Sequence, residues 1–419
     1  MSTLSYPRTA AIIEGQWSGA HRRPWILRRA PCRSPIQTQI RPTSERRAQD
    51  DSDREGSVAN DLFSKFELGA LTLKNRVVMA PMTRCRAIGG VPNELMAQYY
   101  RQRSAGGLLI TEGAAPSANG SGYPRIPGLF RSDQVEGWKL VTRAVHEEGG
   151  VIFAQLMHVG RIGHPDNLLE GAELVAPSAI AAEGKMHTDG NGPQPHPTPR
   201  EMTLEDVEAT IDEFVTAARN AREGGFDGVE LHGANGYLID QFLNPGTNQR
   251  TDEYGGSVEK RGRFAVEVAR RVSQEIGAGR VGIRLSPNGA FNDVALYDGW
   301  QDAFTSYAAE LGKLGLAYLH IVDHSSMGAP PVGDGVKGRM QEAFDGPIIL
   351  SGGYDRERAD AALDLDQGDL IAFGRPFLAN PDLVERLSAG ADLNEADPTT
   401  FYTPGEKGYV DYPAWSGAD

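Results

Sequence analysis

From about residue 62 the chain alternates short apolar runs with longer amphipathic stretches. Arg76–Met82 (RVVMAPM) is the first run, followed by a helical pattern over Asn93–Ser104. Gly107–Ala114 (GLLITEGA) is the second, with a helix expected over Asp133–Glu148, and Val151–His158 (VIFAQLMH) is the third. After a long Gly/Pro/His-rich loop, Thr203 starts a helix that runs to Glu223, with Asp206 three residues on forming an imperfect capping box. The fourth run is Gly228–His232 with a helix over Val258–Ile276, and the fifth is Val281–Pro287 with a helix over Trp300–Leu314. Tyr318–Asp323 is the sixth, with no helix assigned after it. Pro347–Gly352 precedes a helix over Arg356–Leu363, and Leu370–Pro376 precedes one over Asp382–Ala389. Continuous apolar runs are what parallel strands covered on both faces require. Eight of them, most followed by a helix, predict an α/β fold: a single-domain (β/α)8 TIM barrel over residues 58–419. A doubly wound open sheet would carry a glycine-rich turn after its first strand. Thr83-Arg84-Cys85 stands there instead.

Residues 1–57 do not share this pattern. They hold ten arginines against six acids and show no apolar periodicity, whereas the remainder holds 32 basic and 50 acidic residues. The expectation is a disordered or non-native extension, read as a start assigned upstream of Val58 in preference to a targeting segment. The overall charge of −14 disfavours nucleic acid as the main partner. No apolar run approaches the ~20 residues of a membrane span. Two cysteines, Cys32 and Cys85, cannot build a disulfide framework, a cysteine-rich metal site or an iron–sulfur cluster, so a reducing, cytoplasmic setting is expected and no metal.

Chemistry in such barrels gathers at the C-terminal strand ends. Here those ends read Pro81-Met82-Thr83, Glu112-Gly113-Ala114, Gln155 with His158, His232 with Asn235, Arg284, His320 with Asp323, Ser351-Gly352-Gly353 and Gly374-Arg375-Pro376. His232 and Asn235, three apart, can aim two N–H donors at one oxygen, and Tyr237 adds an acidic O–H. The competing reading is a His/Asn pair capping the next helix. Glycine turns after strands seven and eight form the common phosphate site of the fold, and Arg375 would add a charge-assisted contact. A phosphate-bearing ligand is therefore expected beside an apolar strip, an amide and an arginine.

The motifs LKNRVVMAPMTR, AQLMHVGR, FDGVELHGANGYLIDQFLNP, TNQRTDEYGGS with KRGRF, VGIRLSP and IAFGRPFLANPDL, in this order, resemble the old yellow enzyme family of FMN-dependent ene-reductases. The resemblance covers about Leu62 to Pro413. It implies tightly but non-covalently bound FMN. Pro81 and Met82 would lie along the flavin, with Thr83 on the C4 carbonyl, Gly113 against the ring, Gln155 on the pyrimidine edge and Arg284 facing N1 and the C2 carbonyl. Ser351, Gly352, Gly353, Phe373, Gly374 and Arg375 would complete the cofactor site around the phosphate. His232 and Asn235 would grip a substrate carbonyl, Tyr237 would protonate the α-carbon, and Tyr123 and Tyr402 would line the substrate pocket. Met157 replaces a common Trp, and Asp323-His324 departs from the usual acidic-Pro-Arg sequence, which puts contacts from that loop in doubt. Thr83 in place of Cys points to the yeast and enterobacterial type. Cys85 and His320 read as buried core residues, and His158 as a structural or flavin-ribityl neighbour and not a catalyst.

The activity implied is reduction of the C=C bond of α,β-unsaturated carbonyl compounds by NADPH or NADH in alternating half-reactions. Enones and quinones would be the small-molecule partners of a monomer or small homo-oligomer. A flavin-free isomerase or lyase acting on a phosphate substrate would keep the glycine turns without needing Gln155 and Arg284. A non-catalytic flavin-binding protein would keep the cofactor residues without turnover.

Overall fold

Eight parallel strands close on one another in a computed structural model that describes residues 61–289 and 291–417. They are β1 Val77–Met79, β2 Leu108–Ala114, β3 Ile152–Leu156, β4 Gly228–Gly233, β5 Val281–Leu285, β6 Tyr318–Val322, β7 Ile348–Ser351 and β8 Leu370–Phe373. Their order around the ring follows the sequence, and β8 pairs back onto β1 through Ala372↔Val78. All eight expected strands are present, so the sheet is a (β/α)8 barrel and not an open one. The reading of residues 1–57 lies outside the described residues.

Helix signals in the sequence act where expected. Asn93 caps Glu94–Arg101, its side chain accepting from the Leu95 and Met96 N–H groups. The Thr203/Asp206 capping box forms in both directions at the start of Leu204–Glu223. The helix Val258–Ile276 has the expected bounds, and Ser257 caps it. Several elements escaped the sequence reading, among them two helices and a hairpin. The helix Asp334–Phe344 follows β6, and its first turn begins with Gly333-Asp334-Gly335, which carries little helical signal. The six-residue helix Leu238–Leu243 directly follows Tyr237. A hairpin of Lys185–Thr188 with Gly192–Pro195 lies inside the long loop after β3.

Alternation along each strand sorts side chains between two cores. Met79, Leu109, Ala154, Val229, Leu231, Ile283, Ile321, Leu350 and Phe373 pack outward in the main cluster shared with the helices. Val78, Leu108, Ile110, Phe153, Tyr318, Ile349 and Leu370 point inward and pack with Leu68 and Leu73, from a hairpin of Phe66–Leu68 with Leu71–Leu73. This second cluster fills the N-terminal half of the barrel. Two glycines make room for its rings. A Cβ at Gly228 would lie 2.4 Å from the Phe153 ring, and one at Gly282 would lie 2.2 Å from the Tyr318 ring. Above this apolar layer the inward positions turn polar: Gln155, Glu230, His232, Arg284, His320 and Ser351, all buried.

Candidate active site

The polar layer is built by strand register. Glu230 pairs with Gln155 on one side and Gly282 on the other, His232 with Arg284, and Arg284 with His320. Gly113 sits opposite Gln155 after a break in the β2 ladder. A Cβ at Gly113 would fall 2.6 Å from the Met157 sulfur, so the methionine that departs from the common Trp reinforces the need for glycine there. Several buried polar atoms of this layer and its rim lack a hydrogen-bond partner among the described residues: His232 Nδ1, Asn235 Oδ1, Arg284 Nε, Ser351 Oγ and Glu112 Oε1. Each costs roughly 1–3 kcal/mol in the folded chain. Their convergence on one end of the barrel marks that end as built to receive a polar ligand.

The loop after β4 is held by its own neighbours. Asn235 is left-handed, with φ 60°, a conformation asparagine tolerates and most residues do not. Its N–H donates to Ser286 Oγ at 2.9 Å, and its C=O accepts from Asn292 Nδ2 at 2.7 Å. Ser286 in turn donates to Asp240 Oδ2 at 3.3 Å, which also accepts from the Gly236 N–H at 2.8 Å. Burial pushes the Asp240 carboxyl up to about 7. Gln241 Nε2 donates to Gly236 O at 2.7 Å. The helix-capping reading of His232 and Asn235 is therefore not what forms. Tyr237 occupies the N-cap position of Leu238–Leu243, and no side chain makes the cap bond.

Tyr237 is buried and lies edge-on to His232, with ring centroids 4.9 Å apart. Its hydroxyl donates to the Tyr123 hydroxyl at 3.1 Å. Burial raises the Tyr237 and Tyr123 hydroxyls above the ordinary phenol range, so both hold their protons at neutral pH. Burial, then the Arg284 charge, pushes the His232 imidazole well below its usual range. His232 is therefore a neutral N–H donor and not a cation.

Glu112, at the end of β2, fixes the loop that carries Pro81, Met82 and Thr83. Its carboxylate accepts from the Arg84 N–H at 3.1 Å, and burial raises it to about 7. Pro81, Met82 and Thr83 are half-buried at the rim, and Cys85 behind them is buried, left-handed, and raised to about 12 by burial. Tyr402 comes from a segment anchored by buried arginines. Arg84 donates to Phe401 O and Gly408 O, and Arg86 to Phe401 O and Thr400 O. Arg125 binds Tyr402 O and Cys85 O, both at 3.0 Å. Tyr123, Tyr237 and Tyr402 thus share one rim, although 114 positions separate the first two.

At the far side, Gly352 (φ 146°) and Gly353 (φ 69°) both adopt glycine conformations, and a Cβ at Gly352 would meet Asp323 O at 2.5 Å. Gly374 is different: a Cβ there would meet only Met82 Sδ, at 3.7 Å. Crowding by the protein does not call for that glycine; its backbone, at φ −96° and ψ −92°, lies outside the helical and extended regions. Arg375 is exposed beside it. The Phe373 side chain belongs to the outward cluster facing the helices, which leaves its backbone towards the mouth. Asp323 does not reach inward either: it holds its own loop through the Ser325 N–H and Lys337. Sequence reasoning missed Glu230, Ser286, Asp240 and Glu112 as site supports. Asp240 and Glu230 flank the His232–Tyr237 stretch within the quoted motif, and their acidity in an otherwise apolar setting was the available signal. His320, read as a plain core residue, bonds Glu230 through Nδ1 at 2.8 Å.

The profile of the NADH:flavin oxidoreductase / NADH oxidase family matches residues 61–394. The 12-oxophytodienoate reductase 7 of Oryza sativa subsp. japonica is 41% identical over 374 residues, covering 84% of this chain and 94% of its own. A probable flavin mononucleotide-dependent alkene reductase of Leishmania infantum is 44% identical over 352 residues, covering 83% and 95%. Among solved structures, morphinone reductase superposes with a TM-score of 0.82 at 43% identity, over 85% of this chain and 96% of that one.

Proposed function

The chain belongs to the NADH:flavin oxidoreductase / NADH oxidase family and is an FMN-dependent ene-reductase of the old yellow enzyme type; from that premise we propose how its residues divide the work. The residues present fit FMN. Gly352, Gly353, Gly374 and Arg375 offer backbone N–H groups and a guanidinium to the phosphate. Gln155 and Arg284 face the pyrimidine edge, and Pro81, Met82, Thr83 and Gly113 border the ring. When bound, FMN supplies the hydride that a nicotinamide, NADPH or NADH, has delivered in the preceding half-reaction. Arg284 contributes positive charge where the reduced cofactor is negative.

The substrate is an α,β-unsaturated carbonyl compound. Its carbonyl oxygen accepts hydrogen bonds from the neutral His232 imidazole and the Asn235 amide. Both donors strengthen as negative charge builds on that oxygen, so they stabilise the transition state more than the ground state. Tyr237 keeps its proton at neutral pH and delivers it to the α-carbon, with Tyr123 as hydrogen-bond partner. Tyr123 and Tyr402 shape the rim. Asp240 and Ser286 act through Asn235 by holding its left-handed backbone. Buried Cys85 is consistent with a reducing, cytoplasmic setting, and no described helix is long and apolar enough to cross a membrane.

The observation that carries this reading is the convergence of His232, Asn235, Arg284 and Ser351, each with an unpartnered buried polar atom, on the mouth of one barrel. An absorption spectrum of purified protein tests it. A flavin spectrum that NADPH or NADH bleaches anaerobically, and that an enone restores, is expected. A colourless protein would favour a flavin-free barrel, and a flavin that no nicotinamide reduces would favour a non-catalytic binder.

A further inference from the structure

Below the mouth lies a buried carboxylate, Glu230, that the proposed reaction does not use. The Glu230 carboxylate is fully buried, one inward position deeper than His232. Its Oε1 accepts from Gln155 Nε2 at 2.8 Å. Its Oε2 accepts from His320 Nδ1 at 2.8 Å and from the Tyr318 hydroxyl at 3.2 Å. The last two donors sit on β6, two strands from β4. The contact is possible because the intervening β5 position is Gly282, which pairs with both Glu230 and Tyr318 and has no side chain in the way. Arg284 stands one inward position above Gly282, towards the mouth. Three donors on one buried carboxylate hold it ionised, and the charge of the buried Arg284 guanidinium favours the anion further.

We propose that Glu230 is a positioning residue that fixes the Gln155 amide and balances the Arg284 charge, and so sets the reduction potential of the flavin above it. With one N–H of Gln155 committed downward, the amide cannot flip freely, and its carbonyl oxygen is left for the pyrimidine edge. With the anion beneath Arg284, the layer carries one positive and one negative charge. Loss of the anion leaves a net positive layer, which favours the negatively charged reduced cofactor. The inference rests on the FMN reading, and its test separates the two.

Potentiometric titration of the FMN-loaded Glu230→Gln variant, with FMN affinity measured by fluorescence quenching, is the experiment. Glutamine keeps the shape and loses the charge. The two-electron equilibrium is expected to move towards the reduced flavin by about tenfold or more, which is about 30 mV for a two-electron couple. Tyr318→Phe keeps the charge and removes one of its donors, so its potential is expected to move the opposite way, by less. A Glu230→Gln potential equal to wild type overturns the proposal, as does a shift of the same sign in both variants. If Glu230→Gln does not fold, Tyr318→Phe decides alone, and an unchanged potential there overturns it. A wild-type protein that binds no FMN would instead defeat the functional reading.

Discussion

Asn235 offers a separation of chemistry from conformation that its backbone makes possible. Replacing it by alanine confounds two losses: the amide donor, and the tolerance of a left-handed φ of 60°. An alanine in that region costs roughly 1–2 kcal/mol of strain. Glycine removes the donor and accepts the same φ at no steric cost. The Asn235 N–H to Ser286 and its C=O to Asn292 are backbone groups and survive either change. Asn235→Gly is therefore expected to melt near wild type and to lose about 10²–10³ in enone reduction, the roughly 2.7–4 kcal/mol of one oxyanion donor. Asn235→Ala is expected to show the same rate loss with a lower melting temperature. His232→Ala should lose a similar factor in rate, and also the edge-on contact with Tyr237, worth roughly 0.5–1.5 kcal/mol. A phenol supplies an independent readout, because its oxygen resembles the charge that develops on the substrate. Wild type is expected to bind simple phenols with a long-wavelength charge-transfer band, and all three donor-loss variants to show that band sharply weakened at full FMN content. If Asn235→Gly reduces enones at the wild-type rate while Asn235→Ala is slow, the residue is there for its backbone, and the donor role is refuted.

Tyr237→Phe is expected to accept electrons from the nicotinamide at a near-normal rate but to reduce enones about 10²–10⁴-fold more slowly, while quinones, which need no carbon protonation, remain good acceptors; equal losses for both would mark the hydroxyl as structural. Arg375→Ala should lower FMN affinity in a fluorescence titration with little change in melting temperature, because the side chain is exposed. Glu112 and Asp240 are both raised by burial to about 7, above their unfolded values, so the stability tied to their protonated forms is full below the ordinary carboxyl range and is lost as pH rises through 7. Melting temperature against pH should fall across that window, and Glu112→Gln should flatten part of the fall. Deleting residues 1–57 should leave flavin content and turnover unchanged, since the family match begins at residue 61.

Much of the candidate site was legible in the sequence because its residues stand at C-terminal strand ends, and a parallel barrel delivers all of those ends to one face. Once eight apolar runs were in register, Gln155, His232, Arg284 and the Gly352/Gly353 turn followed. Which layer a strand-end side chain faces was not legible: alternation turns Phe373 outward where its neighbour Ala372 turns in. The helix Asp334–Phe344 was missed because the glycines around its first turn hide its propensity.

The sequence by itself determined the order of elements, the family motifs and the identity of the groups at the mouth, because strand and helix periodicities are local properties of the chain. It could not determine which of those groups meet. The Tyr123–Tyr237 pair, the Asp240–Ser286 support beneath Asn235, and the Gln155–Glu230–His320 network each join residues from different strands or loops. Their contacts exist only after the barrel closes and sets its register. The left-handed turn at Asn235 is likewise a tertiary outcome: asparagine permits it, and hydrogen bonds with Ser286 and Asn292, both in the loop after β5, select it. The same holds for the shifted carboxyls, since burial is a property of the folded surroundings and not of the residue.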